Sequence, residues 1–164
     1  MPDAVEVRRL SADDWELWRR LRLAALRESP SAFGSTVGRE AAFGEDVWRE
    51  RLDDGDSVTV LATYAGAPAG IGGGFRDLPG LLHVMAMWVR PRARGHRVAH
   101  AVLDGIRDYA DEHGLGLHLD VAVSNAAAWR CYERYGFVAT GQTRPIRDGS
   151  PELVERMLFR VVRA

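Results

Sequence analysis

The chain has one cysteine, Cys131, in 164 residues, so an internal disulfide and a cysteine-rich zinc centre are both excluded. A lone thiol agrees with a reducing compartment. No charge of one sign prevails: 22 basic residues face 23 acidic ones, for a formal net charge of -1. The global positive field of a general nucleic-acid binder is therefore missing, and any anion preference must be local. With 46% hydrophobic and 27% charged residues, neither disorder nor a membrane span is expected. The opening "MPDAVEVRRL" lacks the apolar core of a signal peptide, which makes a cytoplasmic location the expectation. No repeat, linker or low-complexity segment divides the chain. Residues 1–164 fit a single domain able to bury a core without staples.

What is present alternates between strand and helix patterns. Val5 to Leu10 reads as a strand. The following "SADDWELWRRLRLAALRES" has a Ser cap, acidic first-turn residues and apolar positions at Trp15, Trp18, Leu21, Leu23 and Leu26, the signature of an amphipathic helix. Pro and Gly break the next stretch into a loop with a second helix ending near Leu52. "SVTVLATYAG" and "PAGIGGGFRD" read as a hairpin, and "GLLHVMAMWVRP" as a third strand stopped by Pro91. From Val98 the apolar spacing turns helical, predicting a helix from about Gly95 to His113 capped by Gly114. "LGLHLDVAVSN" alternates, with Leu117, Leu119, Val121 and Val123 on one face and His118, Asp120 and Ala122 on the other. A helix from Asn125 to Gly136, a strand from Phe137 and a last strand within Leu153 to Val162 complete the order. The strand-helix-strand unit from Leu81 to Val123 should pair in parallel within one α/β (α+β) sheet.

The stretch "VRPRARGHRVAHAVL" crowds Arg90, Arg92, Arg94 and Arg97 into eight residues before it turns apolar. A solvated charge run, a nucleic-acid patch and an anion cradle all fit such a pattern. A strand that stops at Pro91 and a helix that begins near Gly95 would bring unpaired N–H groups and the positive end of a helix dipole to one spot. Arg94 and Arg97 could add charge-assisted hydrogen bonds to phosphate oxygens. It is neither a Walker P-loop nor the dinucleotide fingerprint, because Gly-Lys-Ser/Thr and G-x-G-x-x-G are both missing.

These residues resemble the acetyl-CoA pyrophosphate loop of the GNAT superfamily of N-acetyltransferases, V-x-P-x-x-R/Q-G-x-G-x-G/A. Val89, Pro91, Arg94, Gly95 and Ala99 fall on the pattern, and Arg97 stands where the family usually has glycine. "SNAAAWRCYERYGFVATG" is similar to the family's N-x-x-A-x-x-x-Y-x-x-x-G-F segment, with Asn125, Ala128, Tyr132, Gly136 and Phe137 in register. Together the two motifs cover about residues 81 to 141. The resemblance implies a mixed, mostly antiparallel twisted sheet of about seven strands flanked by about four helices. It also implies transfer of acetyl from acetyl-CoA to an amine by direct attack in a ternary complex, without a metal.

On that resemblance, Tyr132 is the general acid for the departing thiolate. Backbone groups of Met87, Trp88 and Val89 meet the cofactor arm where the family splays this strand from the next. Arg94, Gly95, His96, Arg97, Val98 and Ala99 cradle the diphosphate, with Asn125 and Ala128 beside them. The base is Asp120, matching a glutamate of the family's ribosomal-protein acetyltransferases, with His83 second on the strength of its ordinary pKa. The Met85 and Met87 side chains read as core. The acceptor is expected between Ser29 to Leu52 and Thr143 to Pro151, where Phe33, Phe43 and Trp48 would line a pocket or fill the core. A domain of the same fold that binds acyl-CoA without turnover is the alternative. Neither nucleic acid nor membrane is an expected partner, and a homodimer is left open.

Overall fold

The computed structural model describes residues 4–159. Seven strands form one sheet, and five helices flank it. In chain order the elements are β1 (Val5–Arg9), α1 (Trp15–Glu28), α2 (Val37–Ala41), α3 (Glu45–Leu52), β2 (Ser57–Tyr64), β3 (Ala67–Leu78) and β4 (Leu81–Val89), followed by α4 (Val98–Glu112), β5 (Gly116–Ala122), α5 (Ala126–Tyr135), β6 (Phe137–Pro145) and β7 (Leu153–Phe159). The spatial order is β1-β2-β3-β4-β5-β7-β6. Every neighbouring pair is antiparallel except β4 and β5, which α4 connects in parallel as the sequence pattern predicts. The expected extension of the last strand to Val162 lies outside the described residues.

Two boundaries differ from expectation for local reasons. The segment after α1 holds two short helices, because Thr36 caps α2 by accepting from the Arg39 N–H at 3.2 Å and Gly44 interrupts the chain before α3. Helix α4 begins at Val98, because Gly95 (φ 85°) and Arg97 (φ 62°) are left-handed and cannot continue a right-handed helix backwards.

Each face of the sheet carries its own core. On one, α4 buries Val102, Leu103 and Ile106 completely against Val60, Leu82 and Leu119, each such side chain contributing roughly 1.5–3 kcal/mol. On the other, α1 to α3 bury Leu21, Leu26 and Trp48 against Leu61, Ile71 and Trp88. Trp48 is thus core rather than pocket lining.

The sheet is split at its middle. Pairing of β4 with β5 runs only from Leu81↔Gly116 to Val84↔Leu119. Beyond that point β4 carries a bulge: Gly73 pairs with Met85 and Ile71 with Trp88, so Ala86 and Met87 together face Gly72. Ala86 takes the positive φ of 60° that the bulge requires. Gly72 is needed opposite it, since a Cβ there would stand 2.6 Å from Val102 Cγ1. The bulge turns β4 away from β5 and leaves Met85 to Val89 without a partner on that side.

Candidate active site

A cleft of about 800 Å³ opens where β4 leaves β5. Met87, Trp88 and Val89 form one wall, and Arg94, Gly95, Arg97, Val98 and Ala99 the rim at the start of α4. Asn125, Ala128 and Tyr132 of α5 close the other side. Residues separated by more than thirty positions in the sequence motifs therefore share one space. Met87 packs against the α4-side core as expected and also lines this wall, whereas Met85 is 38% exposed and is not the core residue expected from its strand position. Cys131, Arg134, His100 and Phe33 also line the cleft; nothing in their local pattern distinguishes them before folding.

The rim is built for an anion. The first hydrogen bond of α4 runs from the Ala101 N–H to the Arg97 carbonyl, so the N–H groups of Val98, Ala99 and His100 have no helical acceptor. The helix dipole adds positive potential at the same place. Asn125 Oδ1 accepts from the Ala128 N–H at 3.1 Å and fixes the start of α5 opposite. Arg94, Arg97 and Arg134 line the cleft and no carboxylate does.

Two predicted ligands are engaged elsewhere. The Arg94 guanidinium donates from Nη2 to Glu28 at 2.8 Å and from Nε to the Val89 carbonyl at 3.0 Å, while Glu28 also accepts from Trp88 Nε1 at 2.9 Å. Its side chain thus braces the loop against α1 and β4. His96 stacks on Tyr64 at 4.6 Å and shares a 3.2 Å hydrogen bond with its hydroxyl, so its ring is outside the cleft wall.

Arg97 lies in the wall but in a left-handed conformation, which for a residue with a Cβ costs about 1–2 kcal/mol. The glycine usual at this place in the family carries no such strain. Arg97→Gly is expected to raise unfolding stability by about 1 kcal/mol, measured by urea denaturation. An unchanged or lowered stability would show that side-chain contacts of Arg97 outweigh the strain.

Tyr132 packs edge-on against Phe137 with ring centroids 5.8 Å apart. Burial pushes its phenol well above the ordinary value of 10.0, so it holds its proton at neutral pH. Burial also raises the Cys131 thiol, partly opposed by Arg134, which keeps it from being a ready thiolate.

On the opposite face of the sheet, β4 and β5 bring His83 beside His118, their rings 4.6 Å apart. Asp77, at the end of β3, joins them: one carboxylate oxygen lies 3.0 Å from His83 Nδ1 and the other 2.8 Å from His118 Nε2. Both histidines therefore present N–H donors to Asp77, which leaves His83 Nε2 with a free lone pair. Burial lowers the His83 pKa below its ordinary 6.5 despite the opposing pull of Asp77, so the ring is neutral at pH 7. These three residues put ligand-type atoms within 4.8 Å of one another, and both Asp77 oxygens are taken up by the histidines.

Asp120 is differently placed from what a base requires. Arg156 Nε donates to one of its oxygens at 3.1 Å and Arg144 Nη2 to the other at 2.8 Å. Burial would raise its pKa, but the hydrogen bonds from Arg156 and Arg144 outweigh this and hold it below the ordinary carboxylate range. The segment after α1 and the β6–β7 hairpin touch: a Cβ on Gly34 would stand 3.1 Å from the Ile146 carbonyl. Among the described residues no helix is long and apolar enough to cross a membrane.

The split sheet and its cationic cleft belong to one mixed α/β fold with an opening at the middle of its sheet. The chain belongs to the acetyltransferase (GNAT) family, whose model matches residues 15–137. Nourseothricin acetyltransferase is similar, with 32% identity and a TM-score of 0.60 over 65% of this chain and 66% of that one. The chain thus spans just under two thirds of that relative. A GNAT-family acetyltransferase from Streptococcus pneumoniae matches with 22% identity and a TM-score of 0.75 over 96% and 100% of the two chains. Spermidine N-acetyltransferase from Vibrio cholerae, in complex with CoA and spermine, matches with 20% identity and a TM-score of 0.74 over 94% of each. These last two likenesses concern the fold alone. Comparison with curated sequences finds no match.

Proposed function

We propose that the chain is an N-acetyltransferase that moves acetyl from acetyl-CoA onto a primary amine, of a small molecule or a peptide N-terminus, by direct attack in a ternary complex. The observation that carries this reading is the split between β4 and β5. It gives donor and acceptor a common opening in the sheet, so the reacting atoms can be held together. The V. cholerae relative, in complex with CoA and spermine, is consistent with a donor and an amine of these classes.

In this reading the N–H groups at the start of α4, with Arg97 and Arg134, hold the diphosphate, and backbone groups of Met87 to Val89 meet the pantetheine arm. His83 is the base: Asp77 orients the ring, and Nε2 takes the amine's proton, directly or through one water. Asp120 instead holds Arg144 and Arg156 on the acceptor side. The amine nitrogen bonds to the carbonyl carbon, the carbon–sulfur bond breaks, and Tyr132 gives its proton to the departing sulfur. Cys131, raised in pKa and without a base partner among the described residues, forms no acyl intermediate.

Free thiol release from acetyl-CoA across a panel of amines and peptides tests this directly. Turnover is expected, with kcat level near pH 7 and falling about tenfold per pH unit below an apparent pKa under 6.5. His83→Gln should abolish that acid limb. A limb that survives the substitution would remove His83 from the role, and acetyl-CoA binding without release across the panel would favour a non-catalytic domain.

A further inference from the structure

Two histidines share one carboxylate, and the mechanism uses only one of them. His83 and His118 are direct neighbours across the β4–β5 ladder, with their rings 4.6 Å apart. Each donates to its own oxygen of Asp77, His83 from Nδ1 at 3.0 Å and His118 from Nε2 at 2.8 Å. Their surroundings are unequal. The His83 side chain keeps 15% of its surface exposed and His118 keeps none, so only His83 is within reach of a substrate.

The buried ring is held in one tautomer. A carboxylate accepts, so the hydrogen of His118 is on Nε2. Its Nδ1 is buried without a hydrogen-bond partner among the described residues. A second hydrogen placed there would be a buried donor with nothing to bind, on a charged ring, and such a group is costly. His118 therefore gives Asp77 a standing hydrogen bond without taking up a proton itself. Sharing limits what Asp77 does for His83. A carboxylate beside an imidazole favours its protonated form, but a carboxylate already stabilised by a donor on its other oxygen gains less from that neighbour. The remaining groups around His83 do not take over this part. Asp120 of β5 adds a weaker pull, and Arg144 of β6 and Arg156 of β7 donate to it. Phe75 of β3 stacks on the His83 ring with centroids 5.1 Å apart, so that side of the ring meets carbon.

We propose that His118 is a positioning residue: by occupying one oxygen of Asp77, it keeps His83 in the neutral form that accepts the amine's proton. This role rests on the N-acetyltransferase reading given above, in which His83 is the base. His118 touches neither substrate nor donor and acts through Asp77 alone.

Two readouts test it, and one of them is independent of turnover. In protein carrying isotope-labelled histidine, the NMR signal of the His83 ring is identified by its loss in His83→Gln and followed against pH. His118→Leu removes the buried donor at similar volume and is expected to raise the midpoint of that titration by roughly 0.5–1 pH unit. The acid limb of kcat should move up by the same amount, lowering the rate on that limb about three- to tenfold, with the KM for acetyl-CoA unchanged. His118→Gln, whose amide N–H takes the place of the Nε2–H, should return both midpoints to those of the parent. If His118→Leu does not fold, His118→Asn replaces it, because its shorter amide stops short of Asp77. An NMR midpoint that stays or falls when the donor is removed would overturn the inference, as would a His118→Gln midpoint displaced as far as that of His118→Leu. A midpoint that moves while the kinetic limb does not would support the sharing of Asp77 and overturn His83 as the base.

Discussion

Replacing Tyr132 with phenylalanine is expected to lower kcat by about 10²–10⁴-fold while the Kd for acetyl-CoA stays the same. The ring packs against Phe137 and lines the cleft, and phenylalanine keeps both contacts. Only the hydroxyl is lost. Because burial holds the phenol protonated at neutral pH, it can meet a developing thiolate with a proton. A second expectation distinguishes acid from ring: a donor with a better leaving group, such as an activated aryl thioester, should recover most of the lost rate in the variant. If Tyr132→Phe keeps full activity, the sulfur takes its proton from water.

Loss of the Glu40 charge is expected to cost about 3–5 kcal/mol of folding stability. Glu40 is completely buried, Arg22 is 6% exposed, and Arg51 makes the third member of the group. In Glu40→Gln both guanidinium groups lose their counter-charge, and the buried one cannot recover it from water. Urea denaturation at pH 7 reads the effect. The same group fixes a pH dependence: burial would raise the Glu40 pKa, but the hydrogen bonds from Arg22 and Arg51 bring it from 4.5 down to about 2. A depressed carboxylate pKa contributes its stability in full above about 4.5, and that contribution is lost as pH falls toward 2. Its size is on the order of 3 kcal/mol, and the variant should show a flatter stability profile across this window. A profile as steep as that of the parent would place the acid sensitivity in other carboxylates.

The parts of the site that could be read from the sequence are those coded locally. Pro91 ends a strand, Gly95 turns the chain, and the apolar spacing from Val98 announces a helix, so a helix N-terminus among arginines follows from fifteen consecutive residues, and the resemblance to the family loop singled out the anion cradle among its readings. Asn125 was legible in the same way, as a cap, whereas Ala128 and Tyr132 stood out only through the resemblance to the family motif. The parallel pairing of β4 and β5 followed from the helix between them.

The parts that could not be read depend on contacts between distant elements. Asp77 sits at a hairpin end with nothing to mark it, and only the β3–β4 turn and the β4–β5 register bring it to His83 and His118. Asp120 looked free on its strand face, but β6 and β7 deliver Arg144 and Arg156 to it. Arg94 matched the motif, yet Glu28 at the end of α1 takes up its guanidinium. In each case tertiary charge pairing, which local pattern does not carry, decides what the residue does.

Among these expectations the direct attack of amine on thioester is the central one, since both the split sheet and the assignment of His83 and Tyr132 depend on it. The chain contains no lysine, and Cys131 is its only thiol, so an acetyl-enzyme would have few places to form. Initial rates measured over a grid of acetyl-CoA and amine concentrations distinguish the two routes. Double-reciprocal lines that intersect, with no acetyl mass added to Cys131 after exposure to acetyl-CoA alone, are the predicted result. Parallel lines together with acetylated Cys131 would contradict it.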